Sequence, residues 1–208
     1  MFDQCANLAI PYTDAPRLVT LLKPLSYWTH IEPERDSLYF SKLGIRCLFV
    51  TLRDPVERLQ AAFEYEHANY NKEKSYHMFS FYRQTFSLKS FIDSVRNEAH
   101  TEHNKTMAMW LNSKNPVWKN GYLTNGNLGM VPQVWYLKKN NAISYNMLCS
   151  DRLLSDWERI THLKSNMQYN ISKHISKRIR LNERDAKYVR DVMFPEDTQL
   201  ITKYCAGR

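Results

Sequence analysis

The sequence predicts an α/β fold, with a single domain over residues 1–208 and a mostly parallel sheet flanked by helices. The chain is long enough to enclose one hydrophobic core, and 43% of its residues are hydrophobic. Three stretches, at residues 7–10, 45–52 and 143–148, have the length of strands, and each is followed by a helical pattern. This order is typical of parallel sheets, whose ligands bind at the carboxyl ends of the strands.

The central stretch is a strand that leads straight into a helix, with a cation at the junction. Residues 45–52 are mostly apolar, as in a strand covered on both faces. Asp54 is a favourable N-cap and Pro55 a favourable first helical residue, so we expect a helix to begin there. Arg53 and the free N–H groups of that helix would form an anion site, and phosphate is the usual anion. The alternative is a surface ion pair of Arg53 with Asp54 or Glu57.

The segment from Arg53 to Arg58, RDPVER, closely resembles the 3′-phosphate-binding segment of sulfotransferases that use 3′-phosphoadenosine 5′-phosphosulfate (PAPS). Phe63 and Tyr65 extend the resemblance, which is closest to the carbohydrate sulfotransferases. It implies a sulfotransferase or P-loop-like fold, with PAPS as cofactor and no metal. In that family the strand-end arginine and a serine eight residues later hold the 3′-phosphate. Arg53 matches, whereas Ala61 stands at the serine position.

The same resemblance places the 5′-phosphosulfate loop at residues 11–17, directly after the first predicted strand. The family sequence there is typically Pro-Lys-Thr-Gly-Gly-Thr-Ser. In this chain Tyr12 replaces the lysine, and Asp14 and Ala15 replace the glycines whose backbone wraps the phosphate. Arg17 is a candidate substitute cation, with an ordinary surface charge as the alternative. The residues implied to meet the 5′-phosphosulfate are Thr13, Ala15, Pro16 and Arg17.

Histidines supply one candidate for catalysis. In sulfuryl transfer a base removes the proton of the acceptor hydroxyl, and histidine is well suited to that role at neutral pH. His30 is the histidine between the predicted loop and Arg53, which makes it the candidate base; a structural histidine near a strand end is the alternative. His100 and His103 lie three residues apart without a third ligand, so they do not predict a metal site.

The second half of the chain adds a further resemblance. A helix is predicted over residues 104–111, followed by a loop over 112–129 that is rich in Asn, Gly, Lys and Pro. Residues 132–137, PQVWYL, then precede a predicted strand at 143–148 and a helix that begins near 151. The sulfotransferase family shows the same order: a Pro-Gln-x-x-Tyr-Leu segment, a strand, and a helix with an acidic-x-Leu-x-x-Asp start.

The C-terminal part combines a basic loop with two predicted helices. The loop over residues 170–180 corresponds to a family segment that closes over the 3′ side of the cofactor. Asn182 can cap the helix that follows, and a last helix is predicted over 195–204. The apolar stripe of the first of these helices is Leu181, Val189, Val192 and Met193. The candidate phosphate contacts in the loop are Lys173, Lys177 and Arg178, each of which is otherwise a solvated charge.

Composition limits the classes of partner and compartment. A net charge of +8 and a pI near 9.3 favour a polyanionic partner. The four cysteines are widely spaced, so neither a disulfide framework nor a zinc site is predicted, and Cys47 is expected to be a reduced core residue. We find neither a signal peptide nor a membrane anchor or span. A cytoplasmic or otherwise soluble protein of bacterial, phage or viral origin is therefore expected.

The resemblance implies a sulfotransferase that moves a sulfuryl group from PAPS to a hydroxyl, with a carbohydrate as the expected acceptor. One alternative keeps the fold without the catalysis, as a protein that binds a nucleotide or an acidic glycan. A second alternative is a basic nucleic-acid-binding protein, which explains the charge but not the Arg-Asp-Pro junction. Nucleic acid is therefore the less favoured partner, and the sequence leaves the oligomeric state open.

Overall fold

The computed structural model describes residues 5–13, 21, 30–31, 42–69, 87–119, 122–123, 127–138, 144–164 and 181–206. The chain divides into two compact units. The sheet unit consists of Met1–Asp54, Gln133–Arg178 and Gln199–Arg208, and the helical unit of Pro55–Pro132 and Ile179–Thr198. The single domain predicted from the sequence stays a prediction.

In chain order, the strands are β1 (Cys5–Leu8), β2 (His30–Ile31), β3 (Cys47–Leu52), β4 (Trp118–Lys119), β5 (Tyr122–Leu123) and β6 (Ser144–Cys149). The α-helices are α1 (Pro55–Asn69), α2 (Leu88–Arg96), α3 (His103–Lys114), α4 (Gln133–Lys138), α5 (Leu153–Thr161), α6 (Glu183–Tyr188) and α7 (Pro195–Tyr204). A 3₁₀ turn, Ser150–Arg152, precedes α5, and a π-helical turn, Val189–Met193, follows α6.

The sheet unit is built on a small parallel sheet with the strand order β2-β1-β3-β6. Every neighbouring pair in it is parallel, and β2 contributes two residues. The predicted α/β class and parallel sheet are therefore confirmed. The strand predicted over residues 45–52 is β3, which is buried almost throughout, as expected for a strand covered on both faces. The hydrophobic core of the sheet unit includes Phe49 of β3 and Leu148 of β6, which pack with Trp157 of α5.

The first strand lies two residues earlier than predicted, at Cys5–Leu8 instead of 7–10. The Ile10 N–H donates to the Leu8 carbonyl at 3.1 Å, and the Thr13 N–H donates to the Ile10 carbonyl at 3.4 Å. These bonds turn the chain directly after Leu8. Ile10 is still buried, because its side chain reaches the core from the turn, and this explains why its apolar character suggested a longer strand.

All four cysteines are paired, which corrects two predictions: that the widely spaced cysteines form no disulfide framework, and that Cys47 is a reduced core residue. Cys5 is bonded to Cys47, and Cys149 is bonded to Cys205. The first pair forms because the parallel register sets Cys5 of β1 directly opposite Cys47 of β3. Disulfides persist in oxidising compartments and are rare in the reducing cytoplasm. The expected localisation stays a prediction.

The helical unit has its own hydrophobic core. Leu59 and Phe63 of α1 pack with Phe91 of α2 and Trp110 of α3, and Val189 and other residues complete the cluster. The helix predicted over residues 104–111 is confirmed within α3. The loop predicted over 112–129 is wrong in part, since α3 continues to Lys114 and β4 pairs antiparallel with β5.

The C-terminal helices begin where the sequence predicts. Asn182 caps α6, because its Oδ1 accepts a hydrogen bond from the Asp185 N–H, and α7 spans the predicted residues. Val192 departs from the predicted apolar stripe and is 45% exposed, whereas Val189 and Met193 are buried. The cause is the π-helical turn, whose wider i→i+5 bond from the Phe194 N–H to the Val189 carbonyl rotates Val192 towards solvent. The described helices include none with the length and hydropathy that a bilayer-crossing segment requires.

Candidate functional site

The strand order of the sheet unit creates a reversal point between β1 and β3. From β1 the chain adds β2 on one side, and it then returns across β1 to place β3 on the other side. In open α/β sheets, ligands bind outside the carboxyl ends of the strands at such a reversal. Tyr12 and Thr13 follow the carboxyl end of β1, and Arg53 follows the carboxyl end of β3. Arg53 and the described first residues of the predicted 5′-phosphosulfate loop, Tyr12 and Thr13, therefore lie at this edge.

Arg53 joins the two strand ends. Its guanidinium Nη1 donates to the Tyr12 carbonyl at 3.4 Å, across 41 residues of sequence. The side chain is half-buried, so it combines a fixed position with access to solvent. A guanidinium in this setting can bind a phosphate oxygen pair, because its planar fork presents parallel N–H groups.

Gln133, the first residue of α4, holds the main chain of Arg53. The Arg53 N–H donates to Gln133 Oε1 at 3.0 Å, and Gln133 Nε2 donates to the Arg53 carbonyl at 2.8 Å. Gln133 is 0% exposed. The sequence marked this residue as part of the Pro-Gln segment but assigned it no role. The available sequence signal was a glutamine directly after a proline at the start of a predicted segment, and the burial of its side chain is visible only in the structure.

The turn after β1 is closed by its own hydrogen bonds. The Thr13 hydroxyl donates to the Ile10 carbonyl at 2.8 Å and lies 3.4 Å from the Thr51 hydroxyl. Tyr12, at the position of the family lysine, has a left-handed backbone with φ of 61°. A non-glycine residue in this conformation costs about 1 kcal/mol, which the surrounding bonds must offset. Thr13 would have to exchange a bond to Ile10 to donate to a 5′-phosphosulfate.

Comparison with family models, with curated proteins and with solved structures finds no match. The resemblance to sulfotransferases thus depends on the sequence segments quoted above and stays a prediction.

The candidate base, His30, is the first residue of β2. Its backbone pairs in register with Asn7 of the adjacent strand β1, whose side chain is buried. His30 is therefore on the same sheet as the Arg53 edge, two strands away from β3. The side chain of His30 lies outside the described part of the chain, and its role as base stays a prediction.

The other predicted site residues are not brought together by the described structure. Ala61, at the position of the family serine, is a half-buried residue of α1 in the helical unit. The remaining candidates lie outside the described residues, and their roles stay predictions: Ala15, Pro16, Arg17, Lys173, Lys177 and Arg178.

Arg58, the last residue of the RDPVER segment, has a structural role that the sequence did not reveal. It is 1% exposed. Its Nη1 donates to the Val131 carbonyl at 2.8 Å, and its Nη2 donates to the Leu128 carbonyl at 3.0 Å. A buried guanidinium that satisfies two carbonyls holds the turn before Pro132 in place.

The two histidines near the start of α3 are used locally. The His100 Nδ1 accepts a hydrogen bond from the Glu102 N–H at 3.1 Å, and His103 Nδ1 lies 2.9 Å from the Ser94 carbonyl. Among the residues described, no group of three or more His, Cys, Asp or Glu side chains is placed to hold a metal ion. A role in fixing the α2–α3 connection accounts for both histidines.

Proposed function

We propose that the chain binds PAPS at the carboxyl ends of β1 and β3 and transfers its sulfuryl group to a hydroxyl, with a carbohydrate as acceptor. One observation carries the proposal: the Arg53 guanidinium lies 3.4 Å from the carbonyl of Tyr12. The two segments that resemble the 3′-phosphate site and the 5′-phosphosulfate loop are thereby neighbours at one edge of the sheet. A net charge of +8 favours such an anionic ligand.

Each residue has a defined role in this proposal. Arg53 binds the 3′-phosphate, and the backbone from Thr13 to Arg17 binds the 5′-phosphosulfate. The acceptor oxygen attacks the sulfur in line, the bond from sulfur to the bridging oxygen breaks, and 3′-phosphoadenosine 5′-phosphate leaves with the electron pair. His30 takes the proton of the acceptor hydroxyl. The basic residues Lys173, Lys177 and Arg178 add positive charge around the 3′-phosphate.

Calorimetric titration with 3′-phosphoadenosine 5′-phosphate, the stable product of transfer, tests the proposal. The wild type should bind it, and Arg53→Ala should bind at least tenfold more weakly, because a lost hydrogen bond to a charged group costs roughly 1.5–3 kcal/mol. Arg159→Ala is the control: this half-exposed arginine of the sheet unit pairs with Asp156 and should leave binding unchanged. Absence of binding by the wild type would refute the proposal.

A second candidate, nucleotide binding without transfer, is favoured by the turn after β1. The Thr13 hydroxyl is occupied by Ile10, and Tyr12 supplies no charge for the leaving phosphate. Incubation with PAPS and a panel of glycans, followed by mass spectrometry of the glycans, separates the two candidates. Sulfated glycan from the wild type supports transfer. Binding without product, together with product from Tyr12→Lys, supports the second candidate.

A further inference from the structure

We infer that Gln133 is a positioning residue, whose side-chain amide fixes the main chain of Arg53 and thereby aims its guanidinium at the 3′-phosphate of the nucleotide. This inference rests on the proposed function. It adds a residue to the site that the resemblance does not assign and explains how a residue beyond the end of a strand keeps a defined direction.

The ladder between β3 and β6 ends one residue before Arg53. The last register pair joins Leu52 to Cys149, so the strand no longer sets the orientation of the following peptide groups. Gln133 orients these peptide groups instead: its Oε1 accepts from the Arg53 N–H at 3.0 Å, and its Nε2 donates to the Arg53 carbonyl at 2.8 Å. Two bonds on opposite sides of one Cα restrict both backbone dihedrals, whereas one bond leaves a rotation free.

An amide side chain is well suited to this arrangement. Gln133 must accept from one main-chain group and donate to the other, and asparagine and glutamine carry both functions. Glutamate keeps the acceptor but loses the donor when ionised, and methionine loses both at similar volume. Because Gln133 is fully buried, water cannot replace the missing partner.

The expected consequence is specific to the 3′-phosphate. A fixed Cα–Cβ direction leaves the guanidinium fewer orientations to lose on binding, which increases affinity through preorganisation. A nucleotide without the 3′-phosphate does not contact Arg53, so its affinity should not depend on Gln133. A structural defect, in contrast, would weaken both nucleotides alike.

The test compares calorimetric affinities for 3′-phosphoadenosine 5′-phosphate and for adenosine 5′-phosphate, and the ratio measures the benefit of the 3′-phosphate. We expect Gln133→Met to lower this ratio about tenfold and Gln133→Glu to lower it less, with the affinity for adenosine 5′-phosphate unchanged in both. In an Arg53→Ala background, Gln133→Met should cause no further decrease in the ratio of the two affinities. Thermal unfolding of each variant verifies folding, and Gln133→Glu serves if Gln133→Met does not fold.

The outcomes separate this inference from the proposed function. If the wild type does not bind 3′-phosphoadenosine 5′-phosphate, the proposed function and this inference fall together. If the wild type binds and Arg53→Ala does not, but the Gln133 variants keep the wild-type ratio, only this inference is overturned. An equal loss for both nucleotides also overturns it, since that result assigns Gln133 a purely structural role.

Discussion

Replacing Arg58 by methionine should destabilise the helical unit by several kcal/mol. The guanidinium is 1% exposed and donates to the Val131 and Leu128 carbonyls at 2.8 and 3.0 Å. Two hydrogen bonds from a charged donor are worth roughly 1.5–3 kcal/mol each, and their loss leaves the buried Val131 carbonyl without this donor. Removal of the charge also removes its desolvation cost, so we expect a net loss of about 2–4 kcal/mol.

Urea unfolding of the disulfide-intact protein provides the assay, with tryptophan fluorescence and circular dichroism as two probes whose agreement verifies a cooperative transition. Lys105→Met is the control in the same unit: this exposed lysine pairs with Glu102 at 3.4 Å, and its loss should cost no more than about 1 kcal/mol. Arg58→Lys should lose an intermediate amount of unfolding free energy, because an ammonium group keeps the positive charge but lacks the planar pair of donors of the guanidinium. A loss for Arg58→Met no larger than that of the control would refute the reasoning.

Two further predictions concern stability. Burial raises the pKa of Tyr145 to about 12, above the ordinary value of 10.0 that the unfolded chain keeps. The neutral phenol therefore contributes its full stabilisation below the pKa of the unfolded chain, and this contribution is lost as the pH rises through the pKa of the folded protein. In urea titrations at alkaline pH, Tyr145→Phe should consequently lose less stability than the wild type. Asn182→Ala removes the bond from the Asp185 N–H to the Asn182 Oδ1, which is 2.8 Å long, and should cost about 1 kcal/mol in urea unfolding. Asn182→Ser should retain most of that stability, and equal losses for the two variants would contradict a capping role.

The sequence predicted local features well because their causes are local. The junction from β3 to α1 follows from an apolar run and a proline at Pro55, and α7 begins at Pro195 for a similar reason. The two-residue strands β4 and β5 were missed although the sequence carries a signal for them: Asn120-Gly121, a pair typical of two-residue hairpin turns, lies between Trp118–Lys119 and Tyr122–Leu123. The Asn and Gly residues of this stretch were instead interpreted as marks of a loop. The turn after Leu8 was missed because Ile10 keeps the apolar character of a strand residue.

Long-range contacts account for the rest. Gln133 meets Arg53 across 80 residues, and Arg58 meets Val131 across 73. Neither pairing produces a periodic pattern in the sequence. An arginine in a motif is first interpreted as a ligand-binding residue, and not as a donor to a main-chain carbonyl. The cysteine pairs were missed for the same reason: the spacing of 42 residues between Cys5 and Cys47 carries no information on the register that sets them side by side.

The two cysteine bridges also define how the chain behaves when it is cut. They close the segments 5–47 and 149–205, which do not overlap, so the stretch between Cys47 and Cys149 lies outside both covalent rings. A protease that cleaves once inside either ring leaves a single covalent molecule until the bridges are reduced. A single cleavage between the rings, for instance in the helical unit after Lys105, leaves two pieces that only non-covalent contacts hold together. The pairing of β3 with β6 in the sheet would then depend on hydrogen bonds and the hydrophobic core alone.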